Sequence, residues 1–327
     1  MKSGTCLRSL EAAKEHFKSH DRIVKFENND KQVHTVAWNA EGARLAYGGV
    51  EKTVGVAGLD PSRGLRAEFT CKGHQDQVDQ VAWHRTSADL LASASWDKSA
   101  RVWDVRSKKG ITQISTKGQN LNVSWAPDGA TLTLGDKDDR ITHIDTRTWK
   151  PRHEEVFKSE INEFAYTPCG QFLFVTGGGG VIIVFDAATM KKEVTVQAHP
   201  VASSCLTIDM DRNGRHFVVG SNDALISVWD LPSLTCLRTI DRLDWPIRAV
   251  SISADGALVG SGSEDHAIDV AFLGTGGRVA ELRTEGETFA LAWHPNQPLL
   301  AFSSDDSASS RSRDPSASIR LFGMPPK

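Results

Sequence analysis

The chain has 327 residues, and its 38 basic and 41 acidic residues give a net charge of −3. That length can bury one closed repeat domain or two ordinary domains. Because binding to nucleic acid by bulk electrostatics needs clustered basic charge, the balanced composition argues against it. The five cysteines include no C-x-x-C pair, and no apolar run approaches the roughly 20 residues that span a bilayer. We therefore expect a soluble, reduced, intracellular protein without structural zinc or membrane contact.

The first predicted element is a short amphipathic helix within residues 4–20. Leu7, Leu10, Ala13 and Phe17 recur there at helical spacing. We expect residues 1–20 to form an extension that precedes the main domain. Two interpretations of the apolar face stay open, since it can pack on the chain's own domain or dock a partner.

From residue 21 onward, strand-length apolar runs alternate with turns, and a large apolar residue ends the first strand of each of seven units. These residues follow one another at intervals of 45, 42, 41, 44, 42 and 41, and they are Trp38, Trp83, Trp125, Tyr166, Met210, Ile252 and Trp293. Four strand-length runs in a period of about 40–45 residues are typical of WD-repeat blades. The sequence thus predicts an all-β fold, a seven-bladed WD-repeat β-propeller over residues 21–327.

The turns of each unit support the same register. A glycine stands four residues after the landmark in five units, namely Gly42, Gly129, Gly170, Gly214 and Gly256. Glycine at this place fits a tight turn with positive φ. Units two and five are the best copies, because Trp103-Asp104 and Trp229-Asp230 end their third strands, and Gly73-His74 precedes unit two.

The two ends of the chain are predicted to meet in the last blade. Residues 319–322 form a third-strand run with no fourth strand after it, and Arg22–Phe26 is a strand-like run with no first strand before it. We predict that residues 22–26 supply the closing outer strand. Residues 306–318, rich in Ser, Arg and Asp, form a predicted loop insertion, with phosphorylation or RNA contact as the alternative interpretation.

Unit two contains the residue types of a catalytic triad, but a structural interpretation is favoured. His74, Ser93, Asp97 and Trp103 resemble the hydrogen-bonded network by which WD repeats tie the loop before a blade to its central turn. His199 and Asp223 repeat the pattern in unit five. The glycine run at 177–180 lacks the helix and lysine of a phosphate loop, and no histidines and cysteines stand at metal-ligand spacing. We expect no enzyme activity, metal, cofactor or small-molecule substrate.

Partner contacts are expected on the loops of the propeller's top face. The residue before each turn acid projects there, giving Trp96, Lys137, Asn222 and Glu264. Trp96 is either an aromatic anchor for a partner or a side chain packed on the neighbouring blade. The stretch 241–246 enters unit six where a Gly-His would stand. Its Arg242, Asp244 and Trp245 form either a partner-contact loop or an alternative internal cap.

Several runs resemble one particular family beyond the general repeat pattern. They include Val-Asp-Gln-Val-Ala-Trp-His at 78–84, Lys-Gly-Gln-Asn at 117–120, Arg-Leu-Asp-Trp-Pro at 242–246 and Ala-Trp-His-Pro at 292–295. Together they resemble the third subunit of the THO complex, the Tex-one type, in matching order across nearly the whole propeller. The resemblance implies a nuclear, non-catalytic scaffold of the THO/TREX transcription–export assembly. Its expected partners are other THO subunits, with RNA contacted at most indirectly during messenger-RNA packaging and export.

A second function from a different class comes from the end of the third strand in unit two. Trp103-Asp104-Val105-Arg106 resembles the Trp-Asp-x-Arg box by which some WD-repeat proteins dock on a cullin ubiquitin-ligase adaptor. In that alternative the chain is a substrate receptor and Arg106 carries the specificity. Direct RNA binding is a third interpretation, which the near-neutral charge disfavours.

Overall fold

The computed structural model describes residues 7–26, 32–305 and 317–326. Within these ranges 28 strands form seven antiparallel sheets of four strands each, and one helix precedes them. Contacts between the first strands of successive sheets run around the whole set and return from the last sheet to the first. The fold is therefore a seven-bladed β-propeller, as the repeat spacing predicts.

The strands are numbered in chain order, with β1 (Arg22–Phe26) preceding blade one. Blades one to three comprise β2 (Val33–Trp38), β3 (Arg44–Gly49), β4 (Thr53–Asp60) and β5 (Gly64–Lys72); β6 (Val78–Trp83), β7 (Leu90–Ser95), β8 (Ser99–Asp104) and β9 (Lys109–Ser115); and β10 (Asn120–Trp125), β11 (Thr131–Asp136), β12 (Arg140–Asp145) and β13 (Lys150–Val156). Blades four and five comprise β14 (Ile161–Tyr166), β15 (Phe172–Gly177), β16 (Val181–Asp186) and β17 (Lys192–Gln197); and β18 (Cys205–Met210), β19 (His216–Ser221), β20 (Ile226–Asp230) and β21 (Thr235–Ile240). Blades six and seven comprise β22 (Ile247–Ile252), β23 (Leu258–Ser263), β24 (Ala267–Phe272) and β25 (Arg278–Arg283); and β26 (Leu291–Trp293), β27 (Leu300–Asp305), β28 (Ala317–Met324) and β1.

The hydrophobic core lies between neighbouring blades. One cluster, for example, joins Val54 and Val56 of blade one to Val81, Trp83 and Leu91 of blade two. The middle strands are buried on both faces, whereas outer strands such as β13 are almost entirely exposed. Each blade therefore depends on its two neighbours for burial, which explains why the landmark residues are large and apolar.

The ring closes through the pairing of the two chain ends. Strand β1 lies antiparallel to β28, with Ile23 opposite Phe322 and Phe26 opposite Ile319. The last blade thus takes its outer strand from the N-terminal side of the chain, at the place that the sequence predicts. Strand β28 begins at Ala317, so the end of the predicted insertion at 306–318 belongs to a strand, and residues 306–316 lie outside the described residues.

The helix α1 (Leu10–Ser19) begins later than residue 4, at a site where the side chain of Ser9 accepts the amide N–H of Ala12. Ala13 and Phe17 are buried in a cluster formed with blades six and seven. The Phe17 ring stacks on Phe322 of β28 at a centroid distance of 4.9 Å. Of the two interpretations, the structure supports packing on the chain's own domain, because this face is already covered.

The five predicted turn glycines all adopt positive φ, between 68° and 76°. At Gly129 the positive φ disfavours a side chain, and a Cβ atom there would also lie 2.2 Å from Nε2 of His84.

These turns lie at the bottom face, where the first strands end. The top face is the opposite end of the ring, where the first strands begin and the second strands pass to the third.

Candidate partner-binding surface

The predicted network of blade two is formed in full. Nδ1 of His74 lies 2.8 Å from the Asp97 carboxylate, and its Nε2 lies 2.7 Å from the Ser93 hydroxyl. The indole N–H of Trp103 donates to the same hydroxyl at 2.9 Å. His74, Ser93 and Trp103 are all buried. The network ties the loop before the blade to its central turn, and it leaves the serine without access to a substrate.

The protonation of this network favours a neutral histidine beside a charged aspartate. Burial lowers the pKa of His74, against the opposing effect of Asp97. Burial alone would raise the pKa of Asp97, but hydrogen bonds from Ser99, the Gln75 amide and His74 together lower it. A buried, fully bonded pair of this kind stabilises a turn by satisfying its polar groups.

Blade five contains the second predicted copy, with its serine on a different strand. His199 lies 3.0 Å from Asp223 and 2.9 Å from the hydroxyl of Ser227, which also accepts the indole N–H of Trp229. Ser227 pairs with Val219, so the hydroxyl comes from β20 rather than from β19. The network therefore forms whether the serine stands on the second strand, as Ser93 does in blade two, or on the third strand, as Ser227 does in blade five.

Blade six replaces the histidine network with an ion pair. The Arg242 guanidinium donates to both oxygens of Asp269, at 2.9 and 2.5 Å, and to the carbonyl of Gly276 at 2.7 Å. Asp269 is 1% exposed and also pairs with Arg278 at 3.1 Å. Arg242 thus takes the part of the missing histidine. Its contacts support the interpretation of residues 241–246 as an alternative internal cap.

The same loop presents Trp245 to solvent. The backbone N–H groups of Asp244 and Trp245 donate to the Asp265 carboxylate, at 2.6 and 3.1 Å. With its backbone held in this way, the Trp245 side chain is 56% exposed, and it is the one tryptophan among the described residues' large exposed hydrophobics. Nearby, Glu264 accepts from Arg248 at 2.7 Å. We call the exposed Asp244, Trp245 and Arg248, together with the half-buried Glu264, the blade-six patch.

Two other predicted contact residues lie half a ring away on the top face. The Lys137 ammonium of blade three lies 3.0 Å from the centroid of the Trp96 ring of blade two. Trp96 is half-buried, and its indole N–H has no partner among the described residues. The structure therefore brings Trp96 and Lys137 together but separates both from the blade-six patch.

Polar residues facing the central channel are a feature that the sequence analysis misses. The side chains of Gln80 and Glu163 accept the backbone N–H of Val123 and Ile208 in the next blade, at 2.6 and 3.0 Å. Burial, opposed by several hydrogen bonds, raises the pKa of Glu163. Gln80 and Glu163 stand three residues before their landmarks, as does Thr35, which accepts the Val81 N–H. That shared position is the signal by which the sequence could have indicated them.

Neither a metal centre nor a membrane span is found in the described part of the chain. Across residues 7–26, 32–305 and 317–326, no three His, Cys, Asp or Glu side chains are grouped to hold a metal ion. Over the same ranges, no helix has both the length and the apolar character that crossing a bilayer requires.

Arg106 of the Trp-Asp-x-Arg box is exposed beside the turn that Asp104 caps.

Comparison with known proteins decides the family. A profile of the THOC3 beta-propeller domain matches residues 29–303. The chain belongs to this family. THO complex subunit 3 of Arabidopsis thaliana is 38% identical over 310 residues, which cover 94% of this chain and 97% of that protein. The chain is also similar to Protein TEX1 of Saccharomyces cerevisiae, which is 21% identical over 89% of this chain and 71% of that one.

Two further proteins are similar over most of this chain. The WD repeat-containing protein AAC3 of Dictyostelium discoideum is 28% identical over 97% of this chain and 70% of its own length. The crystal structure of the Myceliophteria thermophila Cps50 (Swd1) β-propeller domain superposes with a TM-score of 0.79 over 92% of this chain and 99% of that one. At 19% identity this likeness concerns the fold alone. The resemblance to the third subunit of the THO complex, predicted from the sequence, is confirmed by the family profile and by the Arabidopsis relative.

Proposed function

We propose that the chain is a non-catalytic scaffold subunit of a THO-type assembly in the nucleus, where it supports messenger-RNA packaging and export within TREX. The observation that carries this proposal is the identity of 38% across 94% of the chain and 97% of the Arabidopsis THO complex subunit 3. Similarity over the full length of a relative favours a shared place in an assembly. Other THO subunits are then its partners, and RNA is contacted at most indirectly.

The top face supports a scaffold role by offering a rigid aromatic anchor. Trp245 is 56% exposed, while the Asp265 carboxylate holds its backbone N–H at 3.1 Å and Pro246 follows it. A large aromatic side chain on a fixed backbone buries area at little entropic cost. At Trp96, in contrast, the Lys137 ammonium already covers the ring. We therefore assign the main partner contact to the blade-six patch.

Affinity purification of the tagged full chain from nuclear extract tests this function. Quantitative mass spectrometry is expected to recover the large helical THO subunits with the wild type. Trp245→Ala is expected to reduce that recovery about tenfold, as for a hot-spot residue. The matched control is Leu237→Ala, because Leu237 is a large hydrophobic residue, 44% exposed, on the outer strand of blade five.

The outcomes of this experiment distinguish the scaffold function from the assignment of the blade-six patch as the partner-binding surface. Isolation of the wild type as a monomer from nuclear extract would contradict the scaffold proposal. Full recovery of the THO subunits with Trp245→Ala would leave the scaffold function intact and contradict the assignment of the blade-six patch. Capture of a cullin adaptor, lost in Arg106→Ala, would instead support the substrate-receptor alternative.

A further inference from the structure

The bottom end of the central channel opens into a cavity of about 370 Å³. Five landmark residues line it together with Arg85 and Arg212, namely Trp38, Trp83, Trp125, Tyr166 and Met210. Both arginines stand two residues after a landmark, in blades two and five. We call this cavity the arginine mouth. It lies on the face opposite the blade-six patch.

The aromatic wall of the arginine mouth has few free polar groups. The indole N–H groups of Trp38, Trp83 and Trp125 already donate to backbone carbonyls of the preceding blades, at 3.2, 2.9 and 3.0 Å. The Tyr166 hydroxyl lies 2.7 Å from the Thr133 hydroxyl. These rings are buried between the blades and expose little surface to the cavity, where the two exposed guanidinium groups present charged hydrogen-bond donors.

Among the described residues, neither arginine forms a salt bridge. Within the described residues, no carboxylate oxygen lies within 4.0 Å of either guanidinium, and neither side chain makes a hydrogen bond. Burial and then the like charge of Arg85 lower the pKa of Arg212, whereas Asp209 acts in the opposite direction. Both side chains are exposed on the same concave surface, where their guanidinium groups are available to bind an anion.

The surrounding groups leave the arginine mouth positive. No acidic residue is among its described lining residues. The carboxylate oxygens of the nearby Asp209 accept the backbone N–H groups of Met210 and Ile252, at 2.8 and 2.7 Å. Burial lowers the pKa of His84, and it lowers that of His294 to about 4. At neutral pH these histidines therefore add no charge to that of the arginines.

We propose that the arginine mouth binds a carboxylate side chain of an acidic polypeptide segment. The planar fork of an arginine matches a carboxylate with two parallel hydrogen bonds. With Asp209 charged, the two arginines leave a net charge of one positive at the mouth, which a single carboxylate balances. Burial raises the pKa of Asp209, and protonation of Asp209 would make the mouth more positive still. The inference does not depend on which assembly the chain joins.

Calorimetric titration of the full chain tests the proposal with defined probes. The probes are the capped peptide Glu-Leu-Glu-Leu, its neutral counterpart Gln-Leu-Gln-Leu, and inorganic phosphate. The acidic peptide is expected to bind about tenfold more tightly than the neutral one, and Arg85→Gln and Arg212→Gln are each expected to weaken it about tenfold. Arg147→Gln is the matched control, since Arg147 is 87% exposed on a turn outside the cavity.

Thermal melting distinguishes ligand binding from a structural role. Because the exposed Arg212 side chain forms no salt bridge or hydrogen bond among the described residues, Arg212→Gln is expected to leave Tm nearly unchanged. Equal affinity for the two peptides, or full affinity for the acidic peptide in both arginine variants, would overturn the proposal. Tighter binding of phosphate than of the acidic peptide, lost in Arg85→Gln, would also overturn it and make this a phosphate site.

Discussion

The indole N–H of Trp83 donates to the backbone carbonyl of Ala37, one blade earlier in the ring, at 2.9 Å. The same bond joins Trp38 to Ala292 and Trp125 to Ala82. Each of these carbonyls belongs to the residue just before the landmark of the preceding blade. The landmark tryptophan therefore fills the space between two blades and also connects their inner strands.

Trp293 provides a natural comparison, because its indole N–H has no acceptor among the described residues. Trp83→Phe and Trp293→Phe both replace an indole by a smaller ring, but only the first strands a buried carbonyl. We expect Trp83→Phe to lower the free energy of unfolding by about 1–3 kcal/mol more than Trp293→Phe does. Urea unfolding followed by fluorescence and circular dichroism measures the difference. Equal losses would show that ring size alone matters at the landmark.

The ion pair of blade six predicts a second difference. Asp269 is 1% exposed and pairs with both Arg242 and Arg278, so Asp269→Ala leaves two cations without their buried partner. We expect Asp269→Ala to cost about 3–5 kcal/mol of stability, and Arg242→Ala to cost less because Arg278 still pairs with Asp269. Trp245→Ala, three residues from Arg242, is expected to leave Tm within about 2 °C of the wild type. A stable Arg242→Ala chain with lost partner binding would contradict the internal-cap role.

The fold can be predicted from the sequence because a large apolar residue recurs in one structural position. Each landmark ends a first strand and must fill the space between two blades, so its chemistry and its spacing are constrained together. The turn glycines follow from the same geometry, since at Gly129 both the positive φ and the neighbouring His84 exclude a side chain. Closure by β1 could be predicted because strands must complete the last blade.

The candidate site is less readable because its contacts join positions that no local pattern connects. Arg242 pairs with Asp269, which lies 27 residues later on a third strand where the other blades carry other residue types. Trp96 meets Lys137 only because equivalent loops of adjacent blades lie side by side. The spacing of a repeat predicts where a loop projects, but whether its side chain faces solvent depends on the neighbouring loop.

Two buried histidines predict acid sensitivity. Burial, then the charges of His153 and Arg152, lowers the pKa of His143 to about 3, and burial lowers that of His294 to about 4. An unfolded histidine titrates near its ordinary pKa of about 6.5, so below that pH the unfolded state binds more protons than the folded state. Stability should therefore fall as the pH drops from about 6.5 toward 4, with a slope of up to about 1.4 kcal/mol per pH unit for each histidine.

His143→Asn isolates one of these contributions, because asparagine does not titrate. Urea unfolding at a series of pH values between about 6.5 and 4.5 compares the variant with the wild type, above the range in which most carboxylates titrate. The variant is expected to be less stable at pH 7 and to lose stability less steeply as the pH falls. Parallel curves for the two chains would show that His143 is not held neutral in the folded state.

The closing strand and the helix contribute to different parts of blade seven. Deletion of residues 1–28 removes β1 and leaves the backbone groups of β28 as an open edge, so Tm is expected to fall sharply. Phe17→Ala removes only the ring that stacks on Phe322, and we expect a loss of about 3–5 kcal/mol at most with closure retained. Differential scanning calorimetry compares the two chains. An unchanged melt after the deletion would rule out closure by β1.

Trp103 and Trp96 lie on the same blade and are expected to respond differently to truncation. Trp103 is buried and donates to the Ser93 hydroxyl at 2.9 Å, so Trp103→Ala should cost about 3–5 kcal/mol and lower Tm. Trp96 is half-buried, and its ring contacts the Lys137 ammonium rather than the core, so Trp96→Ala should change Tm little. Partner binding is measured for both chains at a temperature where each is folded. If Trp96→Ala melts as early as Trp103→Ala, its contact with the neighbouring blade is structural, and the top face loses that candidate anchor.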